Sequence, residues 1–388
     1  MSSVFICHYS EIGLKGNNRR YFEKVLAQNI RKALLREMPG CKFQLEKILK
    51  RFMLKFEGDV DNNQAASALC SVFGLANFSP AVTVPKDMNE ISQVCVELMK
   101  GKEGKSFAVK ARRSDKNFPL TSPEIGRQAG AAVIERYGNP VNLRNPEETC
   151  YIEVLPENVY VFTDKTQGPG GLPVNTAGKT LSLLSGGFDS PVASYYMMKR
   201  GAHCSFMHFH VYPFTEKKSQ EKVKNLARVL NKFQFKSKMY MVPFADTQKT
   251  ITQNCSEKYR IILYRRLMMR IAEQTALKYK YKAVVTGEAL GQVASQTLEN
   301  MAAVEDVIHM PVLRPLIGMD KNEIMDTARK IGTYDISVLP HDDACTRFMP
   351  KHPSIYSKIE DVRREERKLD INELVQKNLE KIDMLKIE

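Results

Sequence analysis

Apolar positions along this chain switch between a spacing of two and a spacing near 3.6, and the switches predict its elements. Val4–His8 reads as a strand, and from about Asn18 to Arg36 the residues Phe22, Val25, Leu26, Ile30 and Leu34 recur at helical spacing. Lys42–Ile48 and Arg51–Phe56 read as paired strands, followed by a helix around Gln64–Phe73 and a strand around Asn77–Val84. This βαββαβ order is the ferredoxin-like motif. A second unit runs from about Met88 to Lys165. It has a helix near Ile91–Lys100, a strand at Ser106–Ala111, a helix at Ser122–Tyr137, and a hairpin of Thr149–Leu155 with Asn158–Thr163. Gln167-Gly168-Pro169-Gly170-Gly171-Leu172-Pro173 has the composition of a linker.

Beyond the linker, short apolar runs alternate with helical patterns. Strands are expected at Leu181–Leu184, Cys204–Phe209, Lys238–Val242 and Ala283–Thr286. Helices are expected at Pro191–Arg200, Glu216–Phe233 (long, basic and amphipathic), Glu257–Tyr279 and from Met319 onward. The last stretch, Ser354–Glu388, reads as helical and charged, with Arg363–Lys368 as a solvated face. Strands alternating with helices imply an α/β fold with a parallel, doubly wound sheet, whose ligands bind at the carboxyl ends of its strands. The strand ends near Ser185, near His208-Phe209-His210 and near Gly287 are therefore expected to converge on one nucleotide. His208 and His210 are read as facing opposite ways, one packed and one exposed, which argues against a two-histidine metal site.

The chemistry concentrates in Leu181-Ser182-Leu183-Leu184-Ser185-Gly186-Gly187-Phe188-Asp189-Ser190. A strand enters a glycine turn, and Asp189 or Ser190 is placed to cap the helix that follows, with Pro191 in its first turn. Backbone N–H groups and the helix dipole make such a turn an anion site. Gly186 and Gly187 let the backbone approach a phosphate, and Ser185 and Ser190 add hydroxyl donors. Asp189 fits there beside a pyrophosphate-bound Mg²⁺. Ser-Gly-Gly-x-Asp-Ser matches the PP-loop of ATP pyrophosphatases, which split ATP into AMP and pyrophosphate. Ala177-Gly178-Lys179-Thr180 resembles the end of a Walker A loop, but Pro173 stands where its first glycine belongs and the run precedes a strand.

Composition adds a partner. The chain has 388 residues and a formal net charge of +14, and that excess points to a polyanion, most simply nucleic acid. Lys110-Ala111-Arg112-Arg113-Ser114-Asp115-Lys116-Asn117-Phe118 gathers four cations and an aromatic ring, suited to RNA phosphates and base stacking or to plain solvation. Glu11–Arg20 is a second basic loop with the same two readings. No run is long and apolar enough to span a bilayer and no signal segment opens the chain, so a cytoplasmic location without membrane contact is expected. None of the eight cysteines forms a Cys-x-x-Cys pair. Cys345 alone stands in a charged loop, His341–Phe348, where Arg347 and Lys321 would favour its thiolate and two aspartates oppose it.

Together these features resemble the tRNA 4-thiouridine synthetase (tRNA uridine 4-sulfurtransferase, ThiI) family over nearly the whole chain. Glu11-Ile12-Gly13-Leu14-Lys15-Gly16 looks like the family's first loop, and the middle unit is similar to a THUMP domain, which in the family holds the tRNA acceptor end. Thr286-Gly287-Glu288 with Gly291–Thr297 resembles the second nucleotide segment, and Cys345 falls at the persulfide cysteine. The resemblance implies a ferredoxin-like domain over residues 1–60, borrowing 61–84, a THUMP domain over 61–166, a linker at 167–178 and a PP-loop domain over 179–388. It implies ATP with Mg²⁺ as cofactor, held by Leu183, Leu184, His208, Phe209, Arg265, Gly287 and Gln296 beside the loop itself, with Asp189 and Lys321 in activation. Implied partners are tRNA and a cysteine desulfurase as sulfur donor; from the basic loop itself Lys110, Arg112, Arg113, Lys116 and Phe118 are expected to contact the RNA, and if one tRNA must touch both the THUMP-like unit and the PP-loop, a homodimer bridged by it is expected.

The implied reaction adenylates the C4 oxygen of uridine 8 and replaces it with persulfide sulfur. Thiamine thiazole synthesis is tied in some members to a rhodanese-like domain with a second cysteine. This sequence ends at Glu388 with no cysteine after Cys345, so that role stays open, and a partner thiol for Cys345 is either Cys204 or external. The rivals are another PP-loop adenylating enzyme acting on tRNA, a non-catalytic RNA-binding protein, and a THUMP-bearing methyltransferase. The last lacks its methyl-donor glycine motif here.

Overall fold

A strand buried on both faces must lie inside its sheet. Strand β1 (Val4–Tyr9) does so, pairing antiparallel with β3 (Arg51–Phe56) on one side and β4 (Leu75–Val84) on the other. With α1 (Arg19–Glu37), β2 (Phe43–Ile48) and α2 (Asn62–Cys70) these strands complete the predicted βαββαβ motif, in sheet order β2-β3-β1-β4. The computed structural model describes residues 4–213, 217–340 and 353–388. It divides into two units, Met1–Pro173 and Val174–Glu388.

In the first unit β4 serves two sets of strands. Its residues from Leu75 to Ala81 pair with β1, and Val82–Val84 pair with β7 (Val159–Phe162). Strands β5 (Phe107–Arg113) and β6 (Glu148–Val154) extend the sheet beyond β7, so β5 is an outer edge. Helices α3 (Met88–Leu98) and α4 (Ser122–Tyr137) bury Ile91, Cys95, Ile125 and Val133 against Phe107, Cys150 and Ile152. Sequence sets their ends: Asp87 caps α3, Thr121 and Glu124 form a capping box on α4, and Gly138 stops α4 in the left-handed region.

The two halves of this unit are locked together. Val4, Ile6 and Met53 pack with Leu155, Tyr160 and Phe162. Beside them Glu153 is 2.8 Å from His8 Nε2 and paired with the buried guanidinium of Arg51. Burial pushes the Glu153 carboxyl up, but His8, Arg51 and Arg112 together outweigh it and hold it below the ordinary range. The glycine-rich stretch is bound along β4. There β8 (Thr166–Gln167) pairs with β4, Gly168 N–H donates to Ala76 O, and Gly170 N–H donates to Leu75 O. A Cβ on Gly168 would lie 2.4 Å from Leu75 O, so only glycine fits.

The second unit runs β9 (Lys179–Leu183), α5 (Asp189–Lys199), β10 (His203–His210), α6 (Lys217–Gln234), β11 (Ser237–Pro243), α7 (Ala245–Asn254), α8 (Arg260–Lys278) and β12 (Val284–Val285). It continues through α9 (Leu298–Glu305), β13 (Val312–Leu313), α10 (Lys321–Ile331), α11 (Tyr334–Val338), α12 (Ile359–Glu366), α13 (Ile371–Glu380) and β14 (Asp383–Ile387). Its sheet order is β13-β12-β9-β10-β11-β14, parallel except for β14. Ser182 of β9 meets Ser194 of α5 at 2.7 Å, while the adjacent Leu181 belongs to the cluster built on α8. Neighbouring strand residues face opposite ways, so α5 and α8 cover opposite faces and the sheet is doubly wound as predicted. No helix among the described residues is long and apolar enough to cross a membrane.

Three expectations need correction. The chain ends in a strand, not a helix: β14 adds antiparallel to β11, and Ile387 is buried against it. The Arg363–Lys368 run is not simply solvated. Glu366 is buried and bonded to Arg266 at 2.7 Å, Arg266 also reaches Asp306 at 3.0 Å, and Arg363 chelates Asp306. His208 and His210, two residues apart on β10, share one face.

Breaking a buried pair leaves an uncompensated charge. Glu366→Ala leaves Arg266 with Asp306 as its one acidic partner and its Nε and Nη2 donors unmet, and is expected to cost about 1–3 kcal/mol in thermal unfolding, while Lys377→Ala on an exposed pair leaves the midpoint unchanged. Because the Glu153 carboxyl is held low, its contribution is complete above the ordinary glutamate value of about 4.3 and is lost as pH falls below it. The gap in urea midpoint between wild type and Glu153→Gln should therefore be open at pH 6 and close toward pH 3.

Candidate active site

Because the strands β9, β10 and β12 are parallel, their carboxyl ends form one edge, and the Leu184–Phe188 loop leaves β9 at that edge. The loop is closed by serines rather than by a side-chain cap. Helix α5 starts at Asp189 with Phe188 as its uncapped N-cap, so neither Asp189 nor Ser190 caps it as expected. Instead Ser190 Oγ accepts from Ser185 N–H at 2.8 Å and lies 3.1 Å from Ser185 Oγ. That bond folds the loop back over the first turn of α5. Leu184 is buried, Leu183 half-buried, and Gly187 N–H points at Ser185 Oγ, 3.4 Å away.

Residues distant in sequence gather on this loop. His208 Nδ1 donates to Leu184 O at 2.9 Å, which ties the end of β10 to the loop. Burial and the neighbouring His208 push His210 down to about 4, so it is a neutral imidazole near pH 7. Phe209 points away, into the core against Phe244 at 5.3 Å, so its side chain is structural and only its backbone faces the edge. Lys321, first residue of α10 and enclosed by the Asp320–Glu323 capping box, sets Nζ 3.3 Å from Asp189 Oδ1 and 5.2 Å over the Phe188 ring. Phe188 in turn packs against Tyr334, the ring centroids 5.3 Å apart and the planes tilted by 33°.

The tightest junction is at Gly287. A Cβ there would lie 2.6 Å from Ser190 N and 2.7 Å from Asp189 C, so the chain after β12 rides directly on the start of α5. The next residue, Glu288, is buried and pairs with both Arg265 and Arg314. Arg265 Nη1 also donates to Ser295 O at 2.9 Å, which brings α8 to the turn that carries Gln296. The backbone closes that turn with Gly291 N–H donating to Gln296 O. Asp189, Lys321, the serine loop, His208 and Gly287 are thus assembled at one edge, with Arg265 and Gln296 reached through Glu288 and Ser295.

Sequence reasoning placed Glu288 in the second nucleotide segment but gave it no role of its own, and it missed Arg314 and Lys222. The Lys222 ammonium is buried and donates to Ser337 O at 2.9 Å and Leu339 O at 2.7 Å, while Ser337 Oγ donates to Gly187 O at 3.3 Å. The chain leading toward residue 341 is therefore fastened to the loop. The Gly-Glu step after a buried strand was the only available sign of Glu288; for Lys222 the sign was a lysine on the apolar stripe of α6.

Cys345 lies outside the described residues. Cys204 does not suit a partner role. It sits beside Thr180 at the amino ends of β9 and β10, opposite the loop edge, and burial pushes its thiol up to about 12. Among the described residues no three His, Cys, Asp or Glu side chains group as a metal cage. A single carboxylate beside a phosphate loop is still the arrangement through which Mg²⁺ rides on a nucleotide.

In the first unit, Lys110, Arg112 and Lys116 are exposed on or just after edge strand β5. Arg113 folds back to donate to Phe118 O at 2.8 Å. Phe118 is only 4% exposed and belongs to the α3–α4 core, so it offers no face to a base, correcting the stacking expectation. Next to Lys110 a groove of about 680 Å³ runs between β5 and α4, floored by Val109, Gly126 and Gly130 and rimmed by Arg127.

Gly287→Ala drives a methyl into backbone that cannot yield. ATP affinity is expected to fall at least tenfold, measured by equilibrium binding, with a loss of about 1–3 kcal/mol in unfolding from overpacking.

Comparison with known proteins agrees with this geometry. The family described as "Thiamine biosynthesis protein (ThiI)" matches residues 175–371, the "ThiI ferredoxin-like domain" residues 4–79 and the "THUMP domain" residues 85–164. A probable tRNA sulfurtransferase of Moorella thermoacetica is 41% identical over 100% of this chain and 98% of its own length. One from Halothermothrix orenii is 42% identical over 100% and 99%. Among solved structures, a 4-thiouridine synthetase in complex with RNA and with bound ATP aligns over 100% of both chains, with TM-score 0.89 and 36% identity. The likeness extends over the full length of these relatives and over the fold of the solved structure, and this chain belongs to the ThiI family of tRNA sulfurtransferases.

Proposed function

We propose that this chain adenylates C4 of uridine 8 in tRNA and replaces the C4 oxygen with sulfur to give 4-thiouridine. The observation that carries the reading is the assembly of Asp189 and Lys321, 3.3 Å apart, on a serine-glycine loop whose backbone is packed against Gly287. The full-length likeness to a 4-thiouridine synthetase with RNA and ATP supports it.

In this reading ATP lies at the loop edge, with its phosphates toward Ser185, Gly186, Gly187 and Ser190 and the positive end of α5. Leu183, Leu184, His208, Phe209 (through its backbone), Arg265, Gly287 and Gln296 surround the rest. Mg²⁺ bound to the departing pyrophosphate would be held by Asp189, where it supplies charge neutralisation. Lys321, restrained by Phe188 and Asp189, stabilises negative charge developing on the phosphates. The uridine C4 oxygen attacks the α-phosphorus and pyrophosphate leaves. The terminal sulfur of a persulfide on Cys345 then attacks C4, AMP leaves with the original oxygen, and a reductant thiol attacks Cys345 Sγ, so that the thiolated base leaves and Cys345 is held in a mixed disulfide; a second equivalent of the thiol reduces that disulfide and resets Cys345. Because Cys204 is buried at the far end of β10, that thiol is external.

The exposed cations Lys110, Arg112 and Lys116 contact tRNA phosphates, while Arg113 shapes their loop. A cysteine desulfurase supplies the sulfur, the protein works in the cytoplasm, and two copies form a homodimer. Light scattering of the tRNA complex showing one copy would overturn the last point.

The deciding experiment is single-turnover thiolation of unmodified tRNA with Mg²⁺-ATP, cysteine and a cysteine desulfurase, following 4-thiouridine absorbance and AMP together. Wild type should form both, Cys345→Ser no thiouridine, and Asp189→Asn neither. AMP without thiouridine in wild type would refute sulfur transfer and leave adenylation standing. Lys110→Glu combined with Arg112→Glu should raise KM for tRNA at least tenfold and flatten its salt dependence, leaving KM for ATP unchanged.

A further inference from the structure

Glu288 stands immediately after Thr286-Gly287 at the end of β12, and the mechanism above gives it no part. Its carboxylate is buried, with 5% of the side chain exposed, and such a group persists only when its oxygens are paired. Two hydrogen bonds and one ion pair, from three segments, meet it. Thr286 Oγ1 donates to Oε2 at 2.9 Å, Arg314 Nε donates to the same oxygen at 2.7 Å, and the Arg265 guanidinium pairs with Oε1. Arg314 is tied at its other end to Glu305 at 2.6 Å, an anchor at the surface. Arg265 is tied to Ser295 O, one residue from Gln296.

We propose that Glu288 is a positioning residue of the nucleotide site, setting the guanidinium of Arg265 and, through it, the turn bearing Gln296. The inference rests on the reading that Arg265 and Gln296 face ATP. Two features favour positioning over simple structural support. Glu288 follows directly on Gly287, whose backbone is pressed against Ser190 N, so the carboxylate is fixed relative to the phosphate loop. The guanidinium that Glu288 pairs with also donates to Ser295 O, so whatever orients Arg265 orients the turn that bears Gln296.

Glu288→Gln keeps the shape and removes the charge. In AMP release with saturating tRNA it is expected to raise KM for ATP about tenfold, with kcat at saturating ATP within threefold of wild type. Arg265→Ala should raise KM as well, and the double variant should be no worse than Arg265→Ala alone, because Glu288 acts through that arginine. Additive effects in the double variant would overturn the proposal, as would an unchanged KM in Glu288→Gln beside a raised KM in Arg265→Ala. An unchanged KM in Arg265→Ala would instead remove the underlying reading of the ATP site. Should Glu288→Gln fail to fold, Thr286→Val decides, since it removes one donor to Glu288 and touches neither arginine: KM should rise two- to threefold with the melting temperature held, and an unchanged KM refutes the role.

Discussion

The nucleotide edge depends on how closely the backbone at Gly287 lies against the first turn of α5. No side chain can stand between them, since a single Cβ would already overlap Ser190 N and Asp189 C. That contact brings the end of β12 to the loop that follows β9, so groups that belong to different strands act on one ligand. On one side of it Asp189 meets Lys321; on the other Glu288 meets Arg265 and Arg314. A parallel sheet supplies the common edge, and the glycine supplies the closeness. Serines rather than a cap close the loop, which leaves its outward N–H groups and the helix dipole for an anion.

Away from that edge, the protein fastens its parts with buried carboxylates. Glu153 ties β6 to His8 and Arg51, which joins the two halves of the first sheet. Glu366 ties α12 to Arg266 on α8, and Asp306 joins the same network through Arg363. Glu288 does the same at the nucleotide edge. Each joins segments far apart in the sequence by hydrogen bonds of fixed direction. An apolar contact of the same area would hold these segments less specifically, and a broken pair would strand a charge out of water.

Much of this was readable in the chain. The alternation of strands and helices predicted both sheets, and the Ser-Gly-Gly-x-Asp-Ser run located the loop with its helix, because these are local signals written in neighbouring residues. What escaped has a partner far along the sequence. Glu366 looked like one more charge in a solvated run until Arg266, 100 residues earlier, was beside it. Strand β14 (Asp383-Met384-Leu385-Lys386-Ile387) has no alternation of polar and apolar residues to mark it, and only the edge of β11 makes it a strand. Phe118 sat in a basic loop that suited a stacking ring, yet Arg113 folds the loop so that the ring enters the core. The two histidines of β10 were misjudged for a simpler reason, since a spacing of two returns to the same face of a strand.

The central claim is that ATP activates the base by taking up its C4 oxygen at this edge. The measurement that tests it most directly is a single turnover with tRNA carrying ¹⁸O at C4 of uridine 8, followed by mass analysis of the AMP released. If the reaction is as described, one ¹⁸O appears in the phosphate of AMP for each 4-thiouridine formed. Unlabelled AMP, with the ¹⁸O lost to water or kept in the base, would contradict it.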